Sequence, residues 1–142
     1  MRRFLSFCFA AAATSALASA AVIPIQPKAG DVSVTASYKG KGPVDETHDI
    51  LVFLFDHPSP TGESRPLAVM SVTKNGQTVV FKGVTTDPVY VTLVYDEKAD
   101  YDGTRAPSPG APIGSYSKAG KPVPVKPGSK VVASFDDSVR WK

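Results

Sequence analysis

The sequence predicts an all-β fold, an antiparallel Greek-key sandwich of about seven strands behind an N-terminal signal peptide. Three observations point there. Short runs rich in Val, Phe, Tyr and Thr, the residues that fit a pleated half-buried surface, recur along the chain. The 13 Pro and 11 Gly all fall after residue 20 and separate those runs. No stretch beyond residue 20 carries a 3.6-residue apolar stripe, so nothing reads as an amphipathic helix.

The chain of 142 residues opens with Arg2-Arg3, then an apolar run from Phe4 to Ala13 and small residues ending in Ala18-Ser19-Ala20. A positive start, a short apolar core and an A-x-A end make residues 1–20 a signal peptide, with cleavage expected after Ala20. The run is shorter than the roughly 20 apolar residues a membrane span needs. Export to the periplasm or the extracellular space follows, with no transmembrane span in the mature chain. Cys8 is the single cysteine and lies in the signal region, so the exported domain must hold its fold without a disulfide. Without Arg2 and Arg3, 14 basic residues face 13 acidic ones, a near-neutral domain with no electrostatic footprint for nucleic acid.

Residues 21–29 read as an extended lead and residues 30–142 as the sandwich domain. Val32, Val34, Ala36 and Tyr38 alternate with Ser33, Thr35 and Ser37, which makes a strand with one face in the core. Ile50 to Phe55 is continuously apolar between Asp49 and Asp56, a strand buried on both faces or wrapped by a loop. Pro66 to Thr73 and Thr78 to Lys82 flank Asn75-Gly76, whose tolerance of positive φ predicts a hairpin turn. Val89 to Tyr95 alternates again, and Ser129 to Phe135 closes the set. Pro112 to Tyr116 and Lys121 to Val125 are weaker, the second confined to a sheet edge by Pro122 and Pro124. Residues 103–112 form the longest expected loop, extended on the surface.

If successive strands reverse direction, nine of the 13 acids collect at one pole: Asp45, Glu46, Asp49, Asp96, Glu97, Asp100, Asp102, Asp136 and Asp137. Like charges held close need a compensator, and a hard cation with oxygen ligands is one. The segment Asp96 to Gly103 spaces carboxylates through a loop that ends in glycine. Asp96, Asp100 and Asp102, with Asp49, Glu46 or Asp45 from the neighbouring loop, are therefore the candidate Ca²⁺ ligands. A solvated acidic turn after a strand explains the same residues without an ion.

Val-Tyr-Val-Thr-Leu-Val-Tyr-Asp-Glu at 89–97, the acidic loop after it and Val79 to Val84 before it resemble transthyretin-like, carboxypeptidase-regulatory-type sandwiches, as found in small secreted bacterial proteins. The resemblance covers about residues 79–103. It implies a seven-strand Greek-key sandwich with a binding or structural role rather than catalysis. Lys98 and Ala99 depart from the Asn and Gly of the commonest family loop.

Catalytic signals are sparse. His48 and His57 flank one strand, so at about 3.3 Å per residue they stand about 30 Å apart and cannot share a proton relay. No G-x-S-x-G, zinc-spaced cluster or phosphate loop occurs. The expected function is a non-enzymatic module that binds a protein or carbohydrate partner, with Ca²⁺ as its candidate ion. Two alternatives stand beside it. One is a small hydrolase using acids such as Asp96 and Asp136. The other is a carbohydrate-binding module using exposed aromatics among Tyr90, Tyr95, Tyr101, Tyr116 and Trp141. Parity places Tyr90 and Tyr95 on opposite faces, one of them in the core.

Overall fold

A computed structural model describes residues 29–142. The expected signal peptide, and the lead up to residue 28, lie outside the described residues. Nine strands appear: β1 (Gly30–Tyr38), β2 (Ile50–Phe55), β3 (Ala68–Val72), β4 (Thr78–Val84), β5 (Tyr90–Tyr95), β6 (Ile113–Ser115), β7 (Ser117–Lys118), β8 (Lys121–Pro122) and β9 (Lys130–Phe135). They form a three-stranded sheet, β4-β1-β9, a four-stranded sheet, β3-β2-β5-β6, and a small β7-β8 ribbon. Among the described residues no helix is long and apolar enough to cross a membrane.

The two larger sheets pack face to face over one apolar core. β1 contributes Val32, Val34, Ala36 and Tyr38; β2 contributes Ile50, Val52 and Leu54; β5 contributes Val91, Leu93 and Tyr95; and β9 contributes Val131, Ala133 and Phe135. The period of two in each strand puts these side chains on one face. Tyr95 is the core member of the Tyr90–Tyr95 pair and stacks on Tyr38 with ring centroids 4.1 Å apart. Gly114 of β6 lies so close to Phe135 that a Cβ there would collide with the Phe135 side chain. That close approach seals one open side of the sandwich.

Two connections differ from expectation. Asn75-Gly76 is not a hairpin turn: β3 pairs with β2 and β4 pairs with β1, so the turn carries the chain from one sheet to the other. Gly76 does adopt a positive φ of 82°. Asn75, however, caps the end of β1, its Oδ1 accepting from the Tyr38 N–H at 2.8 Å and its Nδ2 donating to the Tyr38 carbonyl at 2.7 Å. Of the pair only Gly76 takes the positive φ that the expected two-residue turn asks of both residues, and the flanking strands pair with β2 and β1 instead of with each other. The second difference is that β1 and β9 run parallel, from Ser33↔Lys130 to Tyr38↔Phe135.

The alternation of direction nonetheless holds for the main strands. Ile50 pairs with both Val72 and Tyr95, Thr35 with Thr78, and Tyr38 with Phe135. The 39–49 loop, the 73–77 turn, the start of the 96–112 segment and Asp136-Asp137 therefore share one pole.

The second sheet is covered on its outer face as well. Leu51, Phe53, Phe55, Val94 and Ala111 form a separate buried cluster with Tyr101, Ile113 and Trp141 packed against it. The 97–112 segment thus acts as a roof rather than a free surface loop. The C-terminal tail fastens it. Gly110 N–H donates to the Trp141 carbonyl and Trp141 N–H to the Ala111 carbonyl, both at 2.8 Å, and Ile113 N–H donates to the Val139 carbonyl at 2.9 Å. Trp141 accordingly packs on the outer cluster, not in the core between the sheets.

Candidate functional site

At the acidic pole the structure brings Asp49 and Asp96 together: the Asp96 N–H donates to the Asp49 carbonyl at 3.0 Å. Asp96 is nearly buried, and its two carboxylate oxygens accept from the Asp100 N–H at 3.2 Å and the Tyr101 N–H at 3.1 Å. Asp100 accepts from the Ser108 hydroxyl at 2.7 Å. A niche of about 10 Å³ lies between Asp96, Glu97, Lys98, Asp100, Ser108 and Ala111, room for about one water-sized particle.

Two other predicted ligands, Asp45 and Asp102, point their carboxylates into their own turns. Asp45 accepts from the N–H groups of Thr47 and His48, at 2.9 and 2.8 Å, and Asp102 accepts from Thr104 N–H and hydroxyl, at 2.9 and 2.7 Å. Glu46 is exposed. Among the described residues no three His, Cys, Asp or Glu side chains gather closely enough to hold one ion.

The crowding of acids is relieved by the protein itself. Asp137 accepts from the Tyr38 hydroxyl and from the Lys41 N–H. Arg140 bonds Glu97 at 2.8 Å and the Gly110 carbonyl at 3.0 Å, with Asp137 at 3.7 Å. The Tyr95 hydroxyl donates to the Pro43 carbonyl at 2.7 Å. Hydrogen bonds hold several carboxyls below the usual carboxylate range: backbone N–H groups at Asp45 and Asp102, Ser138 at Asp136, and the Tyr38 hydroxyl at Asp137. Burial, reinforced by the surrounding acids, pushes the Tyr38, Tyr95 and Tyr101 phenols up.

A different feature occupies the outer face of the second sheet. There the roof is incomplete, and a cleft of about 410 Å³ opens over Phe53, Phe55, Thr92 and Val94. Thr61 to Pro66, from the β2–β3 loop, and Gly103 to Pro107, from the roof, form its walls, and Tyr101 and Trp141 complete it. Tyr101 meets Phe53 edge-on with centroids 5.9 Å apart. Arg65 and Arg105 both line the cleft, and Arg65 makes no ion pair among the described residues. Its volume and its mixed lining fall within the range of small-ligand sites.

Beside the cleft stands a constellation that sequence reasoning missed. His57 Nδ1 lies 2.6 Å from Asp56 Oδ1, and His57 Nε2 lies 3.0 Å from Ser64 Oγ. The Phe55 ring meets the imidazole edge-on at 5.6 Å. His57 and His48 do sit at opposite ends of β2, as expected. The Asp-His pair was visible in the sequence. The return of Ser64 depends on the 57–64 loop folding back, which the Ser64 N–H bond to the Thr61 carbonyl at 3.0 Å and the Thr61 N–H bond to Ser64 Oγ at 2.8 Å secure.

The fold and these sites define a two-sheet β-sandwich with one roofed outer face. No protein-family model, curated protein or solved structure matches the chain.

Proposed function

We propose that this protein is an exported β-sandwich binding module that takes a small group, a sugar ring or a side chain of a protein partner, in the cleft on its outer face. The observation that supports this is the cleft itself: Phe53, Phe55, Tyr101 and Trp141 offer apolar and stacking surface while Arg65 and Arg105 supply polar donors. The transthyretin-like resemblance and the signal-type N-terminus favour the same reading. Trp141 is the single tryptophan of the chain and lines the cleft, so its fluorescence reports on that site alone. Titration with a panel of oligosaccharides and peptides is expected to give a saturable change with at least one class. A flat response across the panel, with the fold intact, would remove the binding reading.

Ca²⁺ at the acidic pole is a second reading, supported by the niche beside Asp96 and Asp100. Two carboxylates and a hydroxyl are fewer than the six to eight oxygens Ca²⁺ takes, so backbone carbonyls and water would complete the shell. Calorimetric titration checks it. Heat of binding together with a rise in melting temperature supports the ion. Silence at millimolar Ca²⁺ removes it.

A further inference from the structure

The geometry points to Ser64 as a nucleophile activated by His57 and Asp56, giving the cleft an ester-hydrolysing activity that goes beyond ligand binding. It depends on the same cleft as the binding reading but adds chemistry to it.

The direction of the hydrogen-bond chain is set by the donors available. An ionised carboxylate can only accept, so His57 Nδ1 must carry the proton it shares with Asp56 over 2.6 Å. The neutral imidazole then has only Nε2 left as an acceptor, and the one group 3.0 Å from it that can donate is the Ser64 hydroxyl. Ser64 Oγ accepts from the Thr61 N–H at 2.8 Å, and of the two acceptors its own proton can reach, His57 Nε2 at 3.0 Å is nearer than Thr61 Oγ1 at 3.4 Å. The bond to His57 keeps the Asp56 carboxyl below the usual carboxylate range, so Asp56 stays an acceptor at neutral pH. Nucleophile, base and orienting carboxylate thus stand in the order such chemistry requires.

The placement suits a substrate. Ser64 lines the cleft beside Phe55 and next to Arg65, whose charge enters the same space. A carboxylic ester with an apolar or ring-bearing acyl group would lay that group over Phe53 and Phe55. Ser64 Oγ attacks the carbonyl carbon, the carbonyl π pair moves onto oxygen beside Arg65, and the hydroxyl proton passes to His57 Nε2. Collapse breaks the ester C–O bond, and the leaving alkoxide takes that proton and departs as the alcohol. Water then adds to the acyl-Ser64 carbonyl as Nε2 takes its proton. A second collapse frees the carboxylic acid and returns the proton to Ser64 Oγ. No co-reactant beyond water is needed.

The test uses the full exported chain with p-nitrophenyl butyrate as substrate and an alkyl fluorophosphonate as covalent probe. Expected are measurable release of p-nitrophenol and a single phosphonylated peptide containing Ser64. S64A and H57Q should each lower the rate by about 100-fold or more while keeping the circular dichroism of the parent. If the three side chains only brace the 57–64 loop, S64A lowers the melting temperature and the parent shows neither turnover nor label. That result overturns the inference. Turnover that survives in S64A overturns it equally. Either failure leaves the Trp141 fluorescence response untouched, so loss of the catalytic inference and loss of the binding reading are separately visible.

Discussion

The outer faces of the two sheets have opposite characters. On the three-stranded sheet, Ser33, Thr35 and Ser37 of β1 alternate with core residues and stay accessible, and Thr35 bonds Thr78 across the β1–β4 pair at 2.7 Å. On the four-stranded sheet, Leu51, Phe53 and Phe55 point away from the core, and β2 is buried along all six residues. An apolar outer face must be covered, and the 97–112 segment with the C-terminal tail covers it. The cover is partial, and the gap is the cleft. Where a sheet face is polar the strand ends its work at the core; where it is apolar the chain must build a second layer, and binding surface arises in the joints of that layer.

Substitutions can break this comparison. Phe53→Ala removes a floor residue of the roofed face and should cost about 3–5 kcal/mol in urea unfolding, the range for a buried aromatic. A loss below about 1 kcal/mol would mean the roof is not packed. Gly114→Ala forces a Cβ into Phe135 where the two sheets meet. Overpacking of that kind should lower stability by about 1–3 kcal/mol, read as a lower denaturant midpoint at unchanged slope. Asn75→Ala strips both side-chain bonds from the Tyr38 backbone and should cost about 1–2 kcal/mol, confirming that this residue is a strand cap and not merely a turn former.

The polar pole should set the pH range. Asp45, Asp102, Asp136 and Asp137 have carboxyls lowered by hydrogen bonds in the fold, so their stabilisation is present above about pH 4 and is lost as pH falls through the lowered values. Tyr38, Tyr95 and Tyr101 are raised by burial, so their contribution is held below about pH 10 and lost as pH climbs towards the raised values. Melting temperature against pH, with tyrosinate absorbance followed on the alkaline side, should show both limbs. Smallest of all, Val132→Thr on the exposed face of β9 should stay within about 0.5 kcal/mol of the parent.

Much of the scaffold was legible in the sequence, because alternation in β1 and continuity in β2 are direct records of one-sided and two-sided burial. The gathering of acids at one pole was legible too, since it needs only strand reversal. What was hidden lay in long-range choices. Asn75-Gly76 is the same dipeptide whether its flanking strands pair with each other or part, and nothing within it records which sheet each strand joins. The parallel β1–β9 pair and the tail's seat on the roof have no local signature. Ser64 reaches His57 through a seven-residue return that composition does not encode. The carboxylates of Asp45 and Asp102 read as ion ligands by spacing, whereas in the fold backbone N–H groups from their own turns occupy them.

The most direct measurement is a map of amide chemical shifts, by nitrogen–proton correlation NMR, as the fluorophosphonate-treated chain is compared with the untreated one and with a saturating oligosaccharide or peptide from the fluorescence panel. The account predicts perturbations clustered at residues 61–66, Thr92, residues 101–107 and Trp141, with the acidic pole around Asp45 and Asp136 unmoved. Perturbations centred on that pole, or on the polar face of β1, would contradict it.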